Sequence, residues 1–525
     1  MTSLANEKLA QSYNELPYPS KAFAHCSPVR LHALAKMKGL EPVPLENAKV
    51  LEIGCSFGGN LLPFALQFPD SFSIGIDLSE THIREGQRML SSAGISNISL
   101  VAADISKVRF ETQFDYIVCH GVFSWVPEFV QHAILSTIRQ YLSPNGIAFV
   151  SYNAYPGWKN KDIAKDLMLF GSQADLPIQN RVYQALEMIK FTRDIFKSSE
   201  HVFHRYMNEC FEHISEASES YIAHEYLEDF NQPMYFKQFV RLAAQFGLAY
   251  VTDTNTPYIF RNGVDEEKMN HICSYFNNRL DDITQYFDFL SDTKFRCDMI
   301  TGQENLDRHQ LTNSIVQFNS CRHFDDLYLR IVPPYLATEN DKEYWFVAGK
   351  VKFSRSEAAD LLFDYLRERV GNCQIKRIYA DLKKCAGFDR ETIQMLLWMI
   401  VHSNYSHISF YPIQIKSCGK KPKISDSKRN LLQFISSNPD ITGYTDIYGN
   451  NISIREVTVY FSRYLDGTRT IKGLIKAYRE ELKTGGLIMR NLQGEDIPFE
   501  DIPDEAVERE VKSILEELTD HGYFN

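Results

Sequence analysis

The sequence lacks every cysteine arrangement that the common metal and redox motifs require. Its ten cysteines are scattered, no Cys-x-x-Cys pair occurs, and no histidine cluster accompanies them. This spacing argues against the usual zinc motifs and predicts free thiols in a reducing compartment. No apolar run reaches the ~18 residues that span a bilayer, and residues 1–8 do not form a signal peptide. We therefore expect a cytoplasmic protein that holds no metal and does not insert into a membrane.

Positive charge is also in short supply. The 525 residues include 56 Lys and Arg against 67 Asp and Glu, which gives a formal net charge of −11. Nucleic-acid phosphates are bound by basic surfaces, so this balance argues against a general nucleic-acid-binding protein. It is compatible with a substrate rich in lysine or arginine. A hydrophobic content of 44% is ample for packed cores, and the length indicates about two to four domains.

The sequence has no G-x-G-x-x-G dinucleotide fingerprint, but it has a related glycine turn. An apolar strand end, Val50, Leu51 and Ile53, runs into Gly54 and Gly58, and a helix-like segment follows. Ser56 occupies the place of the second fingerprint glycine, and Glu52 precedes the turn. A carboxylate there would repel a phosphate but suits a ligand with an ammonium group. S-adenosyl-L-methionine is such a ligand, and the Glu-x-Gly-x-x-x-Gly form resembles the first motif of the class I methyltransferases.

Two further carboxylates stand at strand ends, in the order that a nucleotide site needs. Asp77 ends the second apolar run, where a doubly wound sheet places the carboxylate that bonds ribose hydroxyls. The resemblance to class I methyltransferases implies that Glu52 and Gly54 lie beside the methionine part of the cofactor and that Asp104 bonds the adenine amine. The predicted cofactor-binding residues are Glu52, Gly54, Cys55, Ser56, Gly58, Asn60, Asp77, Leu78, Asp104, Ile105, His120, Gly121 and Tyr18.

Strand-like and helix-like segments alternate over residues 46–160. Strand-like runs end at Ile53, Ile76, Val101, His120 and Tyr152. This alternation predicts an α/β fold with a parallel sheet, of the Rossmann-like class I methyltransferase type. Ligands bind at the carboxyl ends of such strands, so residues 120–125 and 152–158 are predicted to form the rim of the site.

The rest of the chain differs in character. Residues 1–45 contain a stiff segment with prolines on both sides of Tyr18, which could close over the cofactor as a lid or simply wrap the surface. Residues 161–324 are predicted to form a mostly helical middle domain that serves as a dimer surface or a substrate guide. Two winged-helix-like domains are predicted at 325–418 and 419–525, and the acidic stretch 495–505 argues against DNA as their partner.

The predicted rim supplies the catalytic candidates Tyr152, Asn153, His120 and Trp125. Methyl transfer needs an aligned, deprotonated acceptor, and aromatic faces attract both a sulfonium and an ammonium group. His120 could accept a proton, although a histidine at a strand end can equally be a packing residue. Trp125 can likewise be structural.

Longer motifs on the rim and behind it resemble one family, the rickettsial protein lysine methyltransferases. They are residues 13–23, 51–60, 120–127 and 151–158. Residues 224–227, 233–236 and 286–290 resemble the methyltransferase regulatory domain of the same family. The resemblance implies methylation of lysines on an outer-membrane surface protein by a cytoplasmic homodimer.

Two alternatives remain open at the level of sequence. The first is a methyltransferase that acts on a small molecule or RNA and carries extra interaction domains, because the fold determines the cofactor and not the acceptor. The second is a non-enzymatic scaffold with a methyltransferase-like fold. The presence of Glu52, Gly54, Asp77 and Asp104 argues against the second.

Overall fold

The structure is a computed structural model. It describes residues 20–228, 230–254, 266–314, 322–331, 336–338, 343–346, 352–369, 371–402, 406–490 and 493–524. Tyr18 and the proline-rich segment around it lie outside the described residues.

Within these ranges the largest element is a seven-stranded sheet. Its strands are β1 (Lys49–Ile53), β2 (Phe72–Asp77), β3 (Ile98–Ala102), β4 (Phe114–Cys119), β5 (Leu142–Asn153), β6 (Leu248–Asp253) and β7 (Phe295–Gly302). They lie in the order β3-β2-β1-β4-β5-β7-β6. Neighbouring strands from β3 to β5 run parallel, and β7 runs antiparallel to both β5 and β6.

Helices cover both faces of the parallel strands. The helix after β2 shows how the sequence defines its ends, because the Ser79 hydroxyl accepts a hydrogen bond from the His82 N–H and Gly94 follows it with φ +67°. These are a side-chain N-cap and a left-handed C-terminal glycine. The helices of this part of the chain are Pro28–Met37, Leu62–Gln67, Glu80–Ala93 and Glu128–Tyr141.

The middle region 161–324 is mostly helical, but it also contributes strands to the sheet, so the predicted boundary between residues 160 and 161 stays a prediction. β6 and β7 both come from the region 161–324 and complete the sheet beside β5. The short strand at β6 was predicted, whereas β7 was not. The helices of this region are Trp158–Gly171, Ile178–Phe196, Val202–Ser215, Glu219–Tyr226, Phe236–Gln245, Glu266–Tyr275, Leu280–Leu290 and Gln303–Arg308.

The C-terminal third pairs helices with small sheets. Tyr328–Ile331 lies between Cys373–Gln374 and Ser406–Ser409 in an antiparallel three-stranded sheet. Leu336–Thr338, Glu343–Phe346 and Lys352–Ser354 form a second one, and Tyr444–Thr445 pairs with Asn451–Ile452. The winged-helix assignment of these parts stays a prediction. The helices are Glu357–Arg367, Ile375–Leu382, Arg390–Val401, Asp426–Ser437, Glu456–Phe461, Ile471–Thr484 and Asp504–Asp520.

One apolar core joins the sheet to the region 325–418. Leu34, Val50, Phe363 and Ile408 all belong to it. The helix Pro28–Met37 lies between the two regions, and the Arg30 guanidinium donates to the carbonyl oxygen of Ser406 at 3.3 Å. Among the described residues, no helix is long and apolar enough to cross a membrane.

Candidate active site

The carboxyl ends of β1, β2, β4 and β5 open on a cavity of about 630 Å³. Parallel strands present their turns at this edge, which is where doubly wound sheets bind ligands. Of the predicted residues, those in the cavity wall are Glu52, Gly54, Cys55, Ser56, Asn60, Asp77, Leu78, Asp104, Ile105, His120, Gly121, Trp125 and Asn153.

The turn after β1 is shaped by backbone that only small residues tolerate. Gly54 has φ +76°, and a Cβ at this position would lie 2.2 Å from Cγ2 of Val122. The N–H groups of Gly54 and Cys55 donate to the carbonyl oxygen of Ile76, which ties the turn to β2. Gly58, which was also predicted to bind the cofactor, packs against Leu100 and is not among the residues of the cavity wall.

Glu52 places a buried carboxyl group at the base of this turn. Its Oε1 accepts a hydrogen bond from Asn60 Nδ2 at 2.8 Å, and its Oε2 has no hydrogen-bond partner among the described residues. Burial raises the pKa of Glu52 to about 8. A buried carboxyl oxygen without a partner is costly unless a ligand donates to it. The site therefore fits a ligand that brings an ammonium group, as S-adenosyl-L-methionine does.

Asp77 and Asp104 line the cavity from the ends of β2 and β3. Asp77 accepts hydrogen bonds from the backbone N–H groups of Ser56 and Ser79, at 2.8 and 2.9 Å, which fixes its orientation. Asp104 accepts from the N–H and the hydroxyl of Ser106. Partial burial raises the pKa of Asp104, but hydrogen bonds from Ser106 and Lys107 outweigh it and leave the pKa below its usual value. Both groups are therefore anchored hydrogen-bond acceptors.

His120 is held by a polar contact on the cavity wall. Its Nδ1 shares a hydrogen bond with the Ser151 hydroxyl at 3.0 Å, and the Gly121 N–H donates to the same oxygen at 2.8 Å. Burial, with a smaller contribution from His25, holds the pKa of His120 well below its usual value. The imidazole is therefore neutral at pH 7, a weak base that orients the turn after β4.

The two catalytic candidates on β5, Tyr152 and Asn153, lie on different faces of the sheet because successive residues of a strand point to opposite faces. Asn153 lies in the cavity wall, and its side-chain amide donates to Asn231 Oδ1 at 2.9 Å. The side chain of Tyr152, by contrast, is buried on the other face of the sheet and stacks on Phe239. The Tyr152 hydroxyl donates to Asp298 Oδ2 at 2.6 Å and does not reach the cavity.

Several residues of the cavity wall were not among the predicted site residues. Trp158 belongs to the predicted rim 152–158 without having been named as a site residue, Glu225 was quoted only within a family motif, and His25 and Lys161 were not singled out. A residue far along the chain reaches the cavity only through the packing of the middle region against the sheet. The additional wall residues include Ser20, Lys21, Phe23, His25, Trp158, Lys161, Tyr221, His224, Glu225, Lys294 and Phe295.

Family models match two stretches of the chain. A methyltransferase domain matches residues 50–146, and a predicted methyltransferase regulatory domain matches residues 218–301. An uncharacterized protein of Rickettsia prowazekii is 42% identical over 233 residues, which cover 44% of this chain and 93% of that protein. Another from the same organism is 25% identical over 516 residues, 96% of this chain and 91% of that protein.

Solved structures extend the similarity to nearly the whole chain. PKMT2 from Rickettsia typhi superposes with a TM-score of 0.79 at 27% identity, covering 96% of this chain and 99% of that chain. A structure of the same protein in complex with AdoHcy covers 97% of this chain with a TM-score of 0.78. This chain belongs to the family of the rickettsial PKMT2-like methyltransferases. The predicted family and the α/β class I methyltransferase fold are confirmed, and the chain is an S-adenosylmethionine-dependent methyltransferase.

Proposed function

We propose that this PKMT2-like methyltransferase transfers methyl groups to the side-chain amines of lysines in a protein acceptor. The observation that carries the proposal is the continuity of the cavity. From the carboxylates at the strand ends, the cavity extends to aromatic and acidic side chains of the middle region, among them Trp158, Tyr221 and Glu225. Aromatic faces and a carboxylate favour a cationic side chain over a neutral or anionic acceptor. The similarity to PKMT2 over 96% of this chain supports the same choice.

The cofactor end of the cavity has one carboxyl group to accept hydrogen bonds from each of three polar parts of S-adenosyl-L-methionine. Glu52 would take the ammonium group of the methionine part, Asp77 the ribose hydroxyls and Asp104 the adenine amine. The buried Oε2 of Glu52 and the buried hydroxyl of Ser56 have no partner among the described residues, which supports a polar ligand at this end. When bound, the cofactor supplies an electrophilic methyl group on a sulfonium.

The acceptor amine donates its lone pair to the methyl carbon while the carbon–sulfur bond breaks, and the electron pair of that bond stays on sulfur. The methylated ammonium product loses a proton to water before another transfer. Lysine has a pKa of about 10.4 in water, so the site must accept the neutral amine or favour its deprotonation. Alignment of amine and methyl group can lower the barrier by about 7–11 kcal/mol without a strong base. Asn153 and Trp125 are the rim residues that would position the amine, and His120 would hold the turn beside it.

The acceptor and the assembly follow from the same proposal. The acceptor would be a lysine-bearing surface protein of a bacterium, which the enzyme would methylate in the cytoplasm before export. The helices of the middle region expose large apolar side chains, including Phe170 at 81% and Val202 at 70% of their surfaces. Contiguous apolar surface of this kind marks an interaction site, and we propose that these exposed side chains serve a homodimer.

Transfer of labelled methyl groups onto bacterial lysate fractions tests the acceptor class. The wild type and the variant Asp77→Asn are incubated with methyl-labelled S-adenosylmethionine, and protein, RNA and metabolite fractions are separated. The proposal predicts label in the surface-protein fraction with the wild type and little with the variant. Label confined to RNA or metabolites, or no label at all, would contradict it.

A further inference from the structure

Lys161 places a cation inside the cavity of this methyltransferase. It belongs to the first turns of the helix Trp158–Gly171, and its side chain is part of the cavity wall. Its Nζ pairs with Glu225 Oε1 at 2.6 Å. The cation therefore lies in the part of the cavity wall that the middle region supplies, whereas the carboxylates proposed to hold the cofactor come from the ends of the sheet strands.

Aromatic rings surround this cation on several sides. The Nζ lies 4.4 Å from the ring centroid of Trp158, 5.8 Å from that of Tyr226 and 6.0 Å from that of Tyr221. Trp158 is 1% exposed and Tyr226 4% exposed, so the rings are fixed by packing. Aromatic faces around a cation, closed by a carboxylate, form the chemistry that recognises lysine ammonium and its methylated forms.

Neighbouring lysines on the same helix show that this arrangement is specific to Lys161. Lys159 lies over Tyr155 and Tyr235 at 5.6 and 5.7 Å, and Lys165 donates to the carbonyl oxygen of Glu228 at 2.8 Å. Neither Lys159 nor Lys165 is in the cavity wall. A lysine that only stabilised the helix surface would not need to enter the space that the acceptor uses.

We propose that Trp158, Tyr221 and Glu225, which all lie in the cavity wall, form the subsite for the acceptor ammonium, and that Lys161 is an internal cation that occupies it until an acceptor lysine displaces it. The inference rests on the proposed function, because it identifies the acceptor pocket of that same site. It has a direct consequence: removing the Lys161 ammonium should make the subsite more available to an external methylammonium group.

Binding of a small methylammonium probe tests the subsite without turnover. N-acetyl-trimethyllysine amide is titrated by calorimetry into enzyme saturated with S-adenosylhomocysteine, for the wild type, Lys161→Met, Lys159→Met and the double variant Lys161→Met/Glu225→Gln. We expect Lys161→Met to bind the probe about tenfold more tightly than the wild type, in keeping with the strength of a desolvated cation–π contact. Lys159→Met should match the wild type, and the double variant should lose the gain.

Equal affinities for Lys161→Met and the wild type would overturn the proposal, as would an equal gain in Lys159→Met. Thermal melting of each variant shows whether it is folded, so that a lost subsite can be told from a lost fold. Lys161→Gln is a second variant without the ammonium group, and if it is folded it must bind the probe as tightly as Lys161→Met. The failure of the proposed function looks different. Tighter probe binding by Lys161→Met without methylation of lysine peptides would support the ammonium subsite and contradict the proposed function. Methylation of lysine peptides without tighter probe binding would support the proposed function and contradict the subsite.

Discussion

At the cofactor end of the cavity, Glu52 combines burial with a carboxyl oxygen that has no partner among the described residues. Asp77 and Asp104 differ from it, because each is oriented by backbone or hydroxyl donors. The three carboxyl groups therefore suit different parts of one ligand. Glu52 responds to the charge of the ligand, whereas Asp77 and Asp104 bond neutral hydroxyl and amine groups.

The pKa of Glu52 leads to a pH dependence of cofactor binding. Because burial raises its pKa to about 8, Glu52 is protonated at neutral pH in the free enzyme. A ligand ammonium favours the carboxylate, so binding releases a proton and becomes tighter as pH rises towards 8. Calorimetry with S-adenosylhomocysteine should show affinity rising by up to about tenfold per pH unit between pH 6 and 8, then levelling.

The matched control for this prediction is Glu52→Gln, which keeps the shape of the side chain and cannot ionise. It should bind more weakly at pH 8 and lose the rise. A pH profile in Glu52→Gln that equals the wild-type profile would assign the dependence to another group.

Asp77 gives a second prediction at the scale of a residue. Asp77→Asn keeps an acceptor for the backbone donors but removes the charge that strengthens bonds to ribose hydroxyls. The affinity for S-adenosylhomocysteine should fall by roughly 10- to 150-fold, the equivalent of about 1.5–3 kcal/mol. Asp115→Asn is the control, because Asp115 accepts from Lys49 N–H and the Ser143 hydroxyl away from the cavity. Undiminished affinity in Asp77→Asn, with native circular dichroism, would remove Asp77 from the site.

At the scale of elements, β7 joins the middle region to the sheet through a buried charge cluster. The Arg296 guanidinium donates to Asp298 Oδ1 at 2.7 Å and to Asp288 Oδ1 at 2.9 Å, and it lies 4.2 Å from the ring centroid of Phe236. Burial raises the pKa of Asp288 to about 6, although Arg296 opposes the shift. The cluster therefore depends on its one guanidinium.

Arg296→Met should loosen β7 strongly, because it leaves buried carboxylates without their cation. We expect the opening free energy of the β7 amides, measured by hydrogen exchange, to fall by about 3–5 kcal/mol. Arg193→Met is the control, since Arg193 pairs with Glu212 on an exposed helix face. Its effect should stay within about 1 kcal/mol. Unchanged protection of β7 in Arg296→Met would show that the cluster is not what fixes the strand.

The same elements show how far the sequence alone can lead. The predicted strand ends at Ile53, Ile76, Val101, His120 and Tyr152 lie within one residue of those observed, and Ile178–Phe196 is a helix as predicted. Regular apolar periods made these elements recognisable. The strand β7 was not predicted, because Arg296 and Asp298 alternate like the polar residues of a solvated face. In the structure the two charges neutralise each other in the interior. The sequence alone could not tell which of Tyr152 and Asn153 faces the cavity, because successive residues of a strand point to opposite faces.

At the scale of the whole molecule, the C-terminal region supports the wall of the cofactor site. Asn451 Nδ2 donates to the carbonyl oxygen of Ala22 at 2.7 Å, and the Phe23 N–H donates to Asn60 Oδ1 at 2.8 Å. Asn60 in turn donates to Glu52. A chain of hydrogen bonds thus leads from the C-terminal region to the carboxyl group of Glu52, which is proposed to bind the cofactor. The sequence carried no sign of it, because the first link joins two residues that are 429 positions apart.

Asn451→Ala tests this support at a distance from the cofactor. Loss of the bonds to Ala22 should weaken S-adenosylhomocysteine binding about three- to tenfold, the equivalent of about 1 kcal/mol. Asn450→Ala is the control, since Asn450 donates to Asp446 within its own loop at 3.0 Å. Equal affinities of the two variants for S-adenosylhomocysteine would mean that the C-terminal region does not support the wall of the cofactor site.

The identity of the methylated atom tests the central proposal most directly. Acceptor protein labelled by the purified enzyme with deuterated methyl groups is digested, and the label is located by tandem mass spectrometry. The account predicts deuterated methyl groups on lysine Nζ. Label on carboxylates, hydroxyls or other nitrogens, with lysines unmodified, would contradict it.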